Sequence, residues 1–219
     1  MEPFMSKIQQ NAIKQYINSN DIMLEYGSGG STLLFCHYVS KYYSLEHEPD
    51  WYNKIKPQAD EIEHLYYNLV KPNYGGENYN SSMDKGNDLA TLFNTDVHGE
   101  WTISKDQYNK IKAQYPYAHE EQKSSIGRYW QYRDYVDYIN KLNVKTFDKV
   151  LIDGRARTFC SYKVLPYLHK DSIVFIDDFY RYSFGNKHRG EVAMGSETTF
   201  FDLYEKIEQV DTMLIGRKK

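Results

Sequence analysis

The chain has 219 residues, of which 41% are hydrophobic and 26% charged, with 13 glycines and 6 prolines; this excludes collagen-like and low-complexity disordered classes and fits one domain with additions. Its 27 basic and 30 acidic side chains leave a formal charge of -3 and a pI near 6.2, so no broad cationic surface awaits nucleic acid or anionic lipid. Two cysteines, Cys36 and Cys160, are too few for a disulfide framework, the start Met1 to Lys7 lacks a leader pattern, and apolar runs such as Ile173 to Ile176 are far too short to span a bilayer. A cytoplasmic protein without membrane insertion is expected; its oligomeric state is not read from the sequence.

Ser6 to Asn18 repeats Ile8, Ala12, Ile13, Tyr16 and Ile17 at helical spacing, with Ser6 placed to cap an amphipathic helix. Asp21 to Glu25 reads as a strand, followed by the cluster Gly27 to Ser31 and a helix over Thr32 to Val39. Lys41 to Glu46 is a second strand, and Asp50 is placed to cap a helix through Trp51 and Ile55 that Pro57 should end or kink. Glu63 to Val70 makes a third strand. From Pro72 to about Ser125 the alternation breaks, because Asn73 to Asn87 is rich in Gly, Asn and Ser. We read 72–125 as an insertion or lid within a single domain spanning 1–219, with a helix from Arg128 to Leu142 after it. Phe147 to Asp153 and Ser172 to Asp177 are apolar runs suited to strands covered on both faces, separated by a helix near Phe159 to Leu168. Tyr204 to Val210 and Met213 to Gly216 form a terminal antiparallel pair turning at Asp211-Thr212. This alternation predicts an α/β fold: a doubly wound, Rossmann-like sheet of about seven strands, mostly parallel with an antiparallel C-terminal pair, and helices on both faces.

From Tyr74 to Tyr138 the chain holds nine tyrosines plus Trp101 and Trp130, which offer flat faces and hydroxyls to a ligand such as a sugar. The bland reading stands beside it, since the whole chain carries 22 tyrosines. A near repeat, Tyr52 to Lys56 and Tyr108 to Lys112, has unrelated flanks and establishes no repeat architecture.

Glu25-Tyr26-Gly27-Ser28-Gly29-Gly30-Ser31-Thr32 follows a strand and opens a helix, where glycines let backbone approach a ligand and N–H groups point at it. Nineteen residues beyond Gly27, Glu46 ends the second strand, where an acid can accept both hydrogen bonds of a ribose diol. A dinucleotide fingerprint would place a third glycine where Thr32 stands, which disfavours NAD. With Glu25 two positions before the first glycine, the segment from about Asp21 to Lys218 resembles class I S-adenosylmethionine methyltransferases. The resemblance implies that Gly27, Ser28 and Gly29 line the methionyl part of S-adenosylmethionine and that Glu25 assists near its ammonium end. It further implies that Glu46 holds the ribose and that Ser31, Thr32 and His47 complete the donor site. S-adenosylhomocysteine would be the product.

Asp153, Asp177 and Asp178 end the fourth and fifth strands, where ligands of open α/β sheets bind. Three converging carboxylates would repel one another, and a hard divalent cation, Mg²⁺ or Mn²⁺, is their natural partner. The arrangement resembles the metal site of catechol-type and macrolide-sugar O-methyltransferases, except that Asp178 stands where Asn is common. The metal-free alternative makes Asp153 a general base and lets Asp177 and Asp178 cap the next turn. Ile152 to Arg157 lacks the Asp/Asn-Pro-Pro-aromatic run of nitrogen methyltransferases, so an oxygen acceptor is expected, and the Asp-Gly-Arg-x-Arg and Asp-Asp-Phe runs resemble small glycan-associated methyltransferases, including those of large DNA viruses. The expected acceptor is a small molecule or glycan, with no nucleic acid partner. His188, in the loop Gly185 to Gly190, is a second candidate base. Arg155, Arg157 and Arg181 are read as partners of neighbouring acids, and Cys36 and Cys160 as small core residues. Two other classes remain in view: an NAD-dependent short-chain-type oxidoreductase, through the Tyr-x-x-x-Lys pairs at Tyr52 and Tyr108, and a catalytically inactive binding subunit of the same fold.

Overall fold

The computed structural model describes residues 1–73, 132–179 and 203–219, with isolated positions 106, 109, 110, 113, 129 and 201. Most of the expected insertion, together with Trp101, Trp130, Arg181 and His188, lies outside the described residues. Seven strands form one sheet: β1 (Ile22–Tyr26), β2 (Lys41–Glu46), β3 (Leu65–Leu69), β4 (Phe147–Ile152), β5 (Leu168–Ile176), β6 (Tyr204–Val210) and β7 (Met213–Lys218). Their order is β3-β2-β1-β4-β5-β7-β6. The first five are parallel, whereas β7 runs antiparallel to β5 and β6. The predicted mixed sheet and C-terminal pair are therefore present, and the order reverses between β1 and β4, the switch point where such sheets open a ligand crevice.

Helix α1 (Lys7–Tyr16) starts as expected at Ser6: its hydroxyl accepts from the Gln9 amide, and Gln9 Oε1 accepts from the Ser6 amide at 2.8 Å. Helix α2 (Gly30–Phe35) begins two residues earlier than the sequence suggested, because Thr32 Oγ1 accepts from the Gly29 amide at 3.0 Å. Helix α3 (Pro49–Ala59) has Glu48 at its cap, with Asp50 inside the first turn. Pro57 does not end it; so near the terminus a missing N–H costs one bond, and the helix runs on to Ala59. Helix α4 (Arg157–Val164) gives way to a 3₁₀ turn at Leu165–Tyr167, and β5 starts at Leu168, four residues ahead of the expected Ser172.

Strand alternation divides the core. Leu24, Tyr26, Leu45, Val150, Ile152, Val174 and Ile176 pack with the helical segment 132–137 and α4, while Met23, Tyr42, Leu151 and Phe175 pack with α1, α2 and α3. Each such large side chain contributes about 1.5–3 kcal/mol through burial. Tyr129, Tyr132 and Tyr135 are buried in the first cluster, so these members of the tyrosine-rich stretch are core residues. Cys36 and Cys160 are buried free thiols, as expected, and burial pushes the Cys36 thiol up to about 11. Among the described residues no helix is long and apolar enough to cross a membrane.

Candidate active site

The two-residue period that sorts the core also gathers the chemistry. Glu25 lies two residues past Met23, Ser44 and Glu46 two and four past Tyr42, Asp153 two past Leu151, and Asp177 two past Phe175. All five therefore emerge on the α1–α3 face, at or just beyond the carboxyl ends of adjacent parallel strands.

At the end of β1, Glu25 is fully buried. Its carboxylate accepts from Ser31 Oγ at 2.6 Å, Thr32 Oγ1 at 2.5 Å and Ser44 Oγ at 2.8 Å. Burial pushes its pKa up to about 7 despite these hydroxyls. Glu25, Ser31 and Thr32 thus direct their side chains at one another and fasten the start of α2 to the sheet.

Gly27 adopts φ +90°, a conformation that favours glycine, and its amide donates to the Leu45 carbonyl at 2.9 Å. A Cβ there would lie 2.5 Å from the Gly154 nitrogen, so the turns after β1 and β4 meet backbone to backbone. The next residue, Ser28, is gripped from three elements. Its amide and hydroxyl both donate to Glu46 Oε2, at 2.8 and 2.5 Å; its carbonyl accepts from Trp51 Nε1 at 2.6 Å; and its hydroxyl lies 2.7 Å from the Tyr67 hydroxyl. Glu46 Oε1 accepts from the amides of His47 and Glu48 at 2.8 and 2.7 Å. Burial raises the Glu46 pKa, and these donors oppose the rise. The His47 ring stands edge-on to Tyr132 and Tyr135, with Nδ1 3.2 Å from Glu46 Oε1.

On the other side of the switch point, Asp153, Asp177 and Asp178 each offer a carboxylate oxygen within 4.8 Å of the others. Asp178 holds a left-handed φ of 55°, as does Ala156 at 52° just before α4, a conformation that non-glycine residues adopt at a cost of order 1–3 kcal/mol. Gln9 of α1 donates to Asp177 Oδ1 at 2.9 Å and to Thr212 Oγ1 at 3.2 Å. The Arg157 guanidinium reaches Asp153 Oδ1 at 3.3 Å and Asp178 Oδ2 at 3.4 Å, and donates to the carbonyls of Gly154, Asp153 and Asp177. This is the partnership with neighbouring acids expected for that arginine. Burial pushes the Asp153 pKa well above the carboxylate range; Arg157 pulls it back, and Asp177 raises it further. Three carboxylates that bring oxygens within 4.8 Å of one another are a donor set that fits a hard divalent cation.

The structure brings Gly27, Ser28, Gly29, Glu46 and His47 together on one side of the switch point, and the three aspartates on the other. Trp51, Tyr67 and Gln9 were not singled out from the sequence. Trp51 sits in the first turn of α3 and Gln9 at the third position of α1, both signals of an element facing the strand ends. Tyr67 pairs in register with Ser44, a neighbourhood that only the parallel β2–β3 pairing reveals.

No protein-family model matches the chain, and no curated protein matches it. The fold is shared with a methyltransferase-like protein from Silicibacter pomeroyi, at 15% identity and TM-score 0.60, over 100% of this chain and 88% of that one. A putative methyltransferase from Streptococcus mutans, solved with S-adenosylhomocysteine, aligns at 12% identity and TM-score 0.48 over 99% of this chain and all of its own. Fibrillarin from Aeropyrum pernix, with natively bound S-adenosylmethionine, aligns at 12% identity and TM-score 0.49 over 96% of this chain and 74% of its own. The first likeness establishes a shared fold; the other two are too distant to carry an argument.

Proposed function

We propose that this chain is an S-adenosylmethionine-dependent methyltransferase that methylates a hydroxyl of a small polar acceptor, a sugar or glycan, with a divalent cation, Mg²⁺ or Mn²⁺, at Asp153, Asp177 and Asp178. The observation that carries the reading is the placement of the glycine turn with Glu46 and of the three aspartates on one sheet face, across the β1/β4 switch point. A donor bearing an ammonium and a sulfonium gains from the neighbouring carboxylates, which would repel a diphosphate. Ser28, Gly29 and Glu46 would hold the methionyl and ribose parts, with His47 beside them, and a cation on the aspartates would lower the acceptor hydroxyl's pKa.

In the transfer, the acceptor oxygen forms a bond to the methyl carbon as the carbon–sulfur bond breaks; the hydroxyl proton leaves to water where a cation occupies the aspartates, and passes to Asp153 where none does. Alignment of donor and acceptor accounts for much of the rate. A second reading keeps this chemistry without a cation, because Arg157 already sets a positive charge 3.3 Å from Asp153 and 3.4 Å from Asp178. His188 is a proposed alternative proton acceptor. Transfer of labelled methyl from S-adenosylmethionine to a panel of hydroxylated acceptors, sugars first, tests the reading; labelling of nitrogen compounds alone would refute the oxygen acceptor.

A further inference from the structure

The Glu46 carboxylate is already saturated. An ionised carboxylate offers about four lone-pair positions. Here the amides of Ser28, His47 and Glu48 and the hydroxyl of Ser28 fill them, at 2.8, 2.8, 2.7 and 2.5 Å. A ribose diol brings two more donors, so one present bond must break for each hydroxyl that Glu46 receives.

The four bonds are not equally free to leave. Those from His47 and Glu48 come from the main chain directly after Glu46, and moving them would unwind the entry to α3. The Ser28 amide is set by Gly27, whose own amide is anchored on Leu45, and by Trp51, which holds the Ser28 carbonyl at 2.6 Å. The Ser28 hydroxyl turns on a single side-chain bond. It is half-buried, and because its proton is on Glu46, the 2.7 Å bond to Tyr67 has the Tyr67 hydroxyl as donor. The Tyr67 ring is fixed independently of Ser28, stacked on Tyr52 with centroids 4.6 Å apart and 23° between planes.

We infer that the Ser28 hydroxyl is an internal competitor for Glu46, occupying the oxygen that a ribose diol must reach. The inference rests on the donor reading given above. Its consequence is that the diol exchanges with an existing charge-assisted hydrogen bond instead of filling an empty position, so the site binds its adenosyl ligand more weakly than Glu46 alone would allow.

Calorimetric titration of the full chain with S-adenosylhomocysteine, and with its 2′-deoxyribose analogue, tests this. Ser28→Ala should tighten S-adenosylhomocysteine about fivefold, the worth of one hydrogen bond of roughly 1 kcal/mol, and should change the 2′-deoxy analogue less. Tyr67→Phe, which removes the Ser28 contact from the free and bound states alike, should change S-adenosylhomocysteine affinity less than Ser28→Ala does. Thermal melts of each variant confirm folding, and Ser28→Cys supplies a second substitution that removes the strong donor. Equal or weaker binding by both Ser28 variants, or tightening by Tyr67→Phe as large as that by Ser28→Ala, overturns the inference while leaving the donor reading intact. A wild-type chain that binds no S-adenosylhomocysteine overturns the donor reading and the inference together.

Discussion

Gly27 and Gly154 stand in contact across the switch point: a Cβ on Gly27 would come within 2.5 Å of the Gly154 nitrogen and 2.6 Å of its Cα, and a Cβ on Gly154 would come within 2.1 Å of the Tyr135 hydroxyl. Backbone, backbone and phenol thus meet where the turns after β1 and β4 approach each other. The demand for glycine at position 27 comes first from this contact and from φ +90°, before any ligand is considered. Gly27→Ala should destabilise the fold by about 2–4 kcal/mol, since overpacking and backbone strain add. Gly154→Ala should also destabilise, and Tyr135→Phe in the same chain should recover part of the loss by removing the clashing oxygen. Urea denaturation of the three variants checks this; equal stability of Gly154→Ala with and without Tyr135→Phe would show that the hydroxyl is not what the Cβ meets.

Glu25 gives the fold a specific dependence on pH. Its pKa is about 7 when folded, against an ordinary value of 4.5, so the folded chain holds this proton more tightly than the unfolded one. The resulting stabilisation is complete below about pH 4.5 and fades as pH rises through about 7. Glu25→Gln keeps the shape and removes the titration, and the hydroxyls of Ser31, Thr32 and Ser44 can rotate to meet an amide. Relative to wild type, the variant should gain about 3 kcal/mol between pH 4.5 and pH 8. Denaturant midpoints at the two pH values measure this; a constant difference between the proteins would place the titration elsewhere.

If Asp153, Asp177 and Asp178 hold a cation, Mn²⁺ added to metal-free protein should give a bound-ion resonance signal that Asp177→Asn weakens at least tenfold. Methyl transfer should stop in EDTA and return with Mg²⁺ or Mn²⁺, while S-adenosylhomocysteine binding persists. Full turnover after chelation, confirmed by metal analysis, would favour Arg157 as the resident positive charge and Asp153 as a plain base.

Sheet, strand types and the strand-end positions of the candidate site were legible because strand ends carry a period of two and the glycine turn sits between a strand and a helix. Glu46 and the three aspartates could be placed at strand ends from hydrophobic runs alone. The inward aim of Glu25 was not legible, because it depends on hydroxyls at Ser31, Thr32 and Ser44 closing over it, and a sequence does not say which of several polar groups finds which. Tyr67 escaped for a related reason: its partner is set by register across β2 and β3. The start of β5 at Leu168 was misread because Leu165–Tyr167 forms a 3₁₀ turn that ends the helix early.

The central claim is that Glu46 receives the ribose of an adenosyl donor, and titration of S-adenosylhomocysteine into wild-type and Glu46→Ala protein tests it most directly. The wild-type chain should bind, and the variant should bind more weakly by about 2 kcal/mol, roughly thirtyfold, as hydrogen bonds to a charged acceptor are lost. Melting curves must accompany the titration, because the variant also leaves the amides of Ser28, His47 and Glu48 without their acceptor. Equal affinity in two folded proteins, or no binding by the wild type, would contradict the account.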